Sequence, residues 1–279
     1  MTSPPTQTPT QTPTPPLPPE TVDRLRAVLG EAPGRIGCAV RLDDGRGFEL
    51  DAHDAVPSAS TIKVPILLAA LRGCQEGRHA LDEMVAIPAP AERVGGSGPI
   101  QLLPSLHALP LREVLTLMIA LSDNDATNMV IDLVGLDAIA DVLAAVPTRE
   151  TALRRRLMDL AAAGRGLQNL TSAADLTAIL VALREGRLLD ATHTGLALEI
   201  LRTQQFLEGL AAYLPESIAV GSKSGEIFGM RGDVAWFERD GRWAVVAVLA
   251  TGLAEGEVDR GTSVLPVFAA VGESVAALL

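Results

Sequence analysis

Residues 57–71 read Pro57-Ser58-Ala59-Ser60-Thr61-Ile62-Lys63-Val64-Pro65-Ile66-Leu67-Leu68-Ala69-Ala70-Leu71. Val64, Leu67, Leu68 and Leu71 recur at helical spacing, so the segment predicts an amphipathic helix beginning near Ser60. Residues three apart share a helix face, which stacks the Ser60 hydroxyl and the Lys63 amine one above the other. A serine hydroxyl becomes a useful nucleophile when a neighbouring base takes its proton. Lysine can be that base once burial or a nearby cation lowers its pKa, whereas arginine cannot. A helix N-terminus adds free N–H groups and partial positive charge beside the serine. A second origin gives the same four residues: a helix cap by Ser58 or Ser60, followed by a lysine reaching for solvent.

Upstream, residues 21–29 carry Val22, Leu25 and Leu29 at helical spacing. Residues 35–42 form a short apolar strand, Asp43-Asp44-Gly45 a turn, and residues 47–51 a partner strand. Downstream, the pattern is mostly helical from residue 60 to about 188, with a second apolar stripe over 111–121. Ser172-Ala173-Ala174-Asp175 fits a capping box opening another helix. Strands return at 218–222, 233–238 and 244–250, the last two joined through Arg239-Asp240-Gly241, and an apolar helix closes the chain over about 262–278. The expected fold is therefore α+β. An antiparallel sheet draws strands from both chain ends, is flanked by terminal helices, and has an all-helical region inserted in it. The sheet part is expected at about 20–56 and 205–279, the helical part at about 60–200.

Residues 1–19 hold eight prolines, six threonines and no charge, the composition of an extended, disordered tail. They have neither the basic start nor the apolar stretch of a signal peptide. The sequence as written therefore reads as cytoplasmic; a trimmed leader or misplaced start would make it periplasmic or secreted.

Composition excludes several functions. The net charge is −11 and the isoelectric point about 4.8, against the basic face that nucleic-acid binding needs. No apolar run approaches the roughly 18 residues of a membrane span. Aromatic residues are 3% of the chain, too few for a base-stacking platform. Cys38 and Cys74 sit in apolar stretches without a CxxC pair, so a metal site and a disulfide framework are not expected. The four histidines are unpaired in sequence, and Asp51-Ala52-His53-Asp54 reads as a polar turn. Of 23 basic residues, 21 are arginine and two, Lys63 and Lys223, are lysine. A solvated cation can be either type; a proton-transferring amine cannot be arginine.

Two further segments matter. Ser122-Asp123-Asn124 ends the apolar run Leu117-Met118-Ile119-Ala120-Leu121, where a helix junction or a hydroxyl and amide presented from a turn both fit. Lys223-Ser224-Gly225 ends a strand, as either a plain turn or a cation, hydroxyl and glycine at a strand edge. In the order Ser-x-x-Lys, Ser-Asp-Asn, Lys-Ser-Gly, the chain resembles the class A β-lactamases and penicillin-recognising active-site serine hydrolases. Gly96-Ser97-Gly98-Pro99-Ile100-Gln101-Leu102-Leu103 and Gly229-Met230-Arg231-Gly232-Asp233 extend the resemblance, which spans residues 20–279.

The resemblance implies roles at the matching positions. Ser60 attacks an amide carbonyl and forms an acyl-enzyme. Lys63 takes its proton, directly or through water. Ser122, tuned by Lys223, passes a proton to the leaving nitrogen. Asn124 binds the substrate's side-chain amide. The N–H groups of Ser60 and Glu226 form an oxyanion hole, at about 3 kcal/mol per donor. Gly225 permits close approach of the substrate, and Ser224 and Arg231 anchor its carboxylate. No metal or organic cofactor is implied. The expected partner is a small molecule, a β-lactam or a peptidoglycan-like amide, with no nucleic acid, no membrane span and a monomeric enzyme.

The chain departs from the class A pattern between the second and third motifs. Leu157 stands where the hydrolytic glutamate belongs and Ala161 where its asparagine belongs, and no Glu-x-x-x-Asn occurs there. Glu150 and Asp159 are expected to pair with the Arg154-Arg155-Arg156 cluster. The leading expectation is β-lactam hydrolysis. The alternatives are a peptidase, esterase or penicillin-binding hydrolase on other substrates, or a sensor that stays acylated.

Overall fold

A computed structural model of the chain describes residues 14–254 and 264–279. Five antiparallel strands form the main sheet: β1 (Arg35–Leu42), β2 (Gly47–Leu50), β7 (Ala219–Ile227), β8 (Met230–Arg239) and β9 (Arg242–Thr251). Their order is β2-β1-β9-β8-β7, which makes β7 an edge strand. The pairing of β1 with β9 (Val40↔Val246) closes the sheet from the two chain ends. β9 reads Ala244-Val245-Val246-Ala247-Val248-Leu249-Ala250, apolar at every position because both its faces are covered. Val245, Ala247 and Leu249 face the helical region. Ala244, Val246, Val248 and Ala250 face α1 (Pro19–Gly30) and the C-terminal helix α8 (Leu265–Ala276).

Between β2 and β7 lie α2 (Lys63–Gln75), α3 (Leu111–Ala120), α4 (Asn124–Ala144), α5 (Leu160–Gly164), α6 (Ala173–Arg184) and α7 (Ala191–Arg202). Small pairings β3–β6 (Val56–Pro57, Leu170–Thr171) and β4–β5 (Met84–Ala86, Ala108–Pro110) complete the description. The expected α+β architecture is thus present, with eight helices among the described residues.

α2 differs from the single stripe expected of it. Ile66, Ala69 and Ala70 are buried along with Val64, Leu67, Leu68 and Leu71, so the helix is apolar all round and runs through the centre of the helical region. Pro65 falls in its first turn, where an N–H has no intrahelical acceptor to lose.

Three expectations need correction. Residues 14–19 are not a free tail: Leu17 is buried in the sheet's outer core. Leu17 N donates to Gly47 O and Gly47 N to Pro15 O, so the proline-rich segment covers the exposed edge at β2. Residues 1–13, and residues 262–263 of the expected last helix, lie outside the described residues. Ser172 caps α6 by accepting from Asp175 N, but Asp175 does not complete a capping box. Its carboxylate instead accepts from the N–H groups of Arg149, Glu150 and Thr151. The region between α4 and α6 is mostly irregular rather than helical and holds only the short α5 and β6.

Candidate active site

The chain around Ser60 is a tight turn, Ala59–Ile62, that runs directly into α2. Ala59 has a positive φ of 43°. The Ser58 carbonyl accepts from Thr61 N and Thr61 Oγ1, and Ser58 N donates to Asn169 O at 2.9 Å. Ser58 supplies no side-chain cap and Lys63 does not reach for solvent, so the alternative reading of this motif does not hold. Lys63 is fully buried.

Its amine donates to Ser122 O at 2.6 Å, Ser122 Oγ at 3.0 Å and Asn124 Oδ1 at 3.0 Å. The first two motifs therefore meet at this amine. Burial, with a smaller contribution from the charge of Lys223, pushes the Lys63 pKa well below that of an ordinary lysine; Asp123 opposes the shift. Burial thus shifts this amine toward its neutral form.

Ser122 has a positive φ of 53°, ahead of Asp123, which caps α4 by accepting from Ala126 N. The other Asp123 oxygen accepts from Ile100 N, tying the 96–100 loop to the Ser-Asp-Asn turn. Asn124 is committed within the protein: besides accepting from Lys63, it donates to Gly95 O at 2.9 Å. It lines the cleft, but its amide first holds Lys63 and the 95–97 loop in place.

The third motif arrives on β7. A Cβ at Gly225 would lie 2.8 Å from Ser60 N and 3.0 Å from Thr61 N, so glycine is what lets the strand seat against the turn bearing Ser60. Lys223 is fully buried and donates to Ser224 O at 2.7 Å. Burial lowers its pKa to about 7, against the opposing effect of Asp233. Arg231, opposite Glu226 in the β7–β8 register, pairs with that carboxylate at 3.1 Å.

These elements enclose a cleft of about 610 Å³ lined by Ser60, Ser122, Asn124, Ser224, Gly225, Glu226 and Arg231. Leu157, Met158 and Leu160 form its opposite wall, with Phe206 and Phe228 at the mouth. Lys63 and Lys223 stand behind the lining, each fully buried. Among the described residues no cluster of His, Cys, Asp and Glu could hold a metal ion, and no helix is long and apolar enough to cross a membrane.

The loop opposite Ser60 is held in ways not read from the sequence. Asn128 brackets Leu157, accepting from its N–H at 2.8 Å and donating to its carbonyl at 3.1 Å. Asn169 accepts from Arg154 N and Arg155 N and donates to Arg155 O. The expected ion pairs do not form among the described residues: Asp159 caps α5, and Arg156 pairs with Asp132. Asn128 was within reach of sequence reading, since it falls one helical turn after Asn124. Asn169 carries no such signal, because its partners are backbone groups.

A family model for the Beta-lactamase enzyme family matches residues 20–275. The β-lactamase of Sphaerobacter thermophilus DSM 20745 is 28% identical over 93% of this chain and 97% of its own, with a TM-score of 0.80. PBP-A is 26% identical over 96% of this chain and 98% of its own, TM-score 0.82. A point mutant of the class A β-lactamase from the last common ancestor of Gram-negative bacteria is 25% identical over 92% and 97%, TM-score 0.81. A search of curated proteins found no match. With the model spanning nearly all of the globular chain and these folds superposing along it, the protein belongs to the Beta-lactamase enzyme family.

Proposed function

We propose that this serine hydrolase opens the amide of a β-lactam, forming an acyl-enzyme at Ser60 that is released slowly. The observation that carries the reading is the buried Lys63 amine, hydrogen-bonded to Ser122 Oγ at 3.0 Å behind the cleft that Ser60 and Ser122 both line. Ser60 Oγ bonds to the carbonyl carbon as its proton passes to Lys63 Nζ. The carbonyl oxygen, now an alkoxide, rests on the N–H groups of Ser60 and Glu226. β7 is an edge strand, so its outward N–H groups are not taken by another strand. The C–N bond then breaks, and Ser122 passes its hydroxyl proton to the leaving nitrogen while receiving one from Lys63. Lys223, Ser224 and Arg231 stand at the end of the cleft where the group beside the leaving nitrogen would lie.

Slow release follows from the opposite wall. A water attacking the ester from that side meets Leu157, Met158 and Leu160, and none of these can take its proton. The two carboxylates in the lining are Glu208 and Glu226, the latter occupied by Arg231. The same wall favours a second reading, a penicillin-binding protein that retains its acyl group.

Intact-mass analysis with benzylpenicillin tests the proposal. A stoichiometric adduct lost in Ser60→Ala is expected, with regeneration of free enzyme much slower than acylation. Absence of an adduct, or an adduct that survives Ser60→Ala, overturns it.

A further inference from the structure

The arginine expected to anchor a substrate carboxylate already has a carboxylate of its own. Arg231 and Glu226 are direct cross-strand partners on the edge of the sheet, where opposite charges attract most effectively, and their side chains meet at 3.1 Å. The Arg231 side chain is 17% exposed and the Glu226 side chain 42%. The acid is thus the more exposed partner of a pair whose two members both line the cleft, and it offsets the charge that an arriving anion would meet. Glu208 and Arg155 line the same cleft and offset each other in charge. Lys223, on the same strand as Glu226, is buried and spends a donor on Ser224 O.

We infer that Glu226 is a specificity-determining residue: it neutralises Arg231 and sets the cleft to take acyl donors that present a neutral or cationic group, rather than a free carboxylate, at the anchor position. The inference rests on the acyl-enzyme reading above. A substrate carboxylate reaching Arg231 must displace Glu226 or lie beside it. In the first case an ion pair is lost; in the second, two like charges share one partner. A neutral ester, an amide or an ammonium group meets neither obstacle, and an ammonium group gains the attraction of Glu226 itself.

The test compares a chromogenic cephalosporin bearing its free ring carboxylate with the methyl ester of the same molecule, following acylation rate constants and Ser60 adduct mass. Wild type is expected to acylate with the ester at least as fast as with the acid. Glu226→Gln keeps the size and hydrogen bonding of the side chain, and thermal unfolding establishes that it folds. It is expected to raise the acid-to-ester ratio about five- to tenfold. Glu226→Gln/Arg231→Gln is expected to return the ratio toward that of wild type, since the gain requires the freed arginine. An acid-to-ester ratio unchanged in Glu226→Gln, with both compounds still labelling Ser60, overturns the inference while leaving the acyl-enzyme reading intact. No Ser60 adduct from either compound overturns the acyl-enzyme reading, and this one with it.

Discussion

Lys63 Nζ lies 2.6 Å from the carbonyl oxygen of Ser122 and 3.0 Å from its hydroxyl. One amine therefore grips both oxygens of a residue 59 positions away. The left-handed backbone at Ser122 turns the carbonyl and hydroxyl toward the same point. With Asn124 Oδ1 as a third acceptor, each N–H of the protonated amine has a partner, and loss of a proton frees one of these directions for the lone pair that a base needs.

Lys63→Arg is expected to lower acylation by about 10²- to 10⁴-fold, the usual contribution of a positioned base, because guanidinium does not deprotonate in this range. In wild type, acylation rises with pH as Lys63 loses its proton, and the depressed pKa moves that rise well below the 10.5 of an ordinary lysine. Stopped-flow traces between pH 5 and 9 follow both effects. Full activity in Lys63→Arg, or a wild-type rate that does not rise anywhere in that range, would sink the assignment of Lys63 as the base.

Gly225→Ala isolates the seating of the sheet edge against the Ser60 turn. The added methyl would lie within 3.0 Å of two backbone nitrogens, and backbone cannot step aside as a flexible side chain does. Overpacking of this kind typically costs about 1–3 kcal/mol, and here it opens the distance between β7 and Ser60. Acylation is expected to fall by at least about tenfold, with a Tm loss of only a few degrees. A variant that acylates like wild type would mean that this contact does not position the site.

The sheet was legible because its signals are local. The alternating faces of β9, the Asp43-Asp44-Gly45 turn and the apolar run of α2 each follow from neighbours in sequence. The lysines at 63 and 223 were legible for a different reason: in a chain that otherwise uses arginine, a retained amine points to proton transfer. What sequence reading missed depends on partners with no sequence pattern. Asn169 binds backbone atoms of the 154–155 segment, and Asp175 binds backbone N–H groups where a capping box was expected. Leu17 was read as tail because its neighbours are prolines, yet the edge strand beside Gly47 gave it a core to join.

Leu157→Glu tests the proposed cause of slow release. Asn128 fixes the backbone of residue 157 from both sides, so a new side chain starts from a defined position in the lining of the cleft that Ser60 also lines. A carboxylate there can take a proton from a water approaching the acyl-enzyme. Regeneration of free enzyme after benzylpenicillin is expected to accelerate by about 10²-fold, with acylation changed little. An unchanged regeneration rate, in a variant that still forms the adduct, would place the block to hydrolysis elsewhere than at residue 157.

Asp233 predicts how stability depends on pH. It is buried, one of its oxygens accepts from Leu210 N at 3.0 Å, and the other has no partner. Burial raises its pKa to about 7. Between about pH 4 and pH 7 the folded chain therefore holds a proton that the unfolded chain has lost, so stability falls as pH rises through that window. Lys223, lowered to about 7, works in the opposite sense. From pH 7 toward 10.5 the unfolded chain holds the extra proton, and stability rises with pH. Asp233→Asn keeps the acceptor for Leu210 N and removes the first limb, and without the Asp233 charge the Lys223 limb moves to lower pH, which acts in the same direction. The Tm of the variant relative to wild type is expected to climb from pH 4 to pH 7 by at least about 3 °C, the equivalent of roughly 1 kcal/mol in a chain of this size. Differential scanning calorimetry across that range decides it: a Tm difference that stays constant from pH 4 to pH 7 would show that Asp233 carries no folding-linked proton.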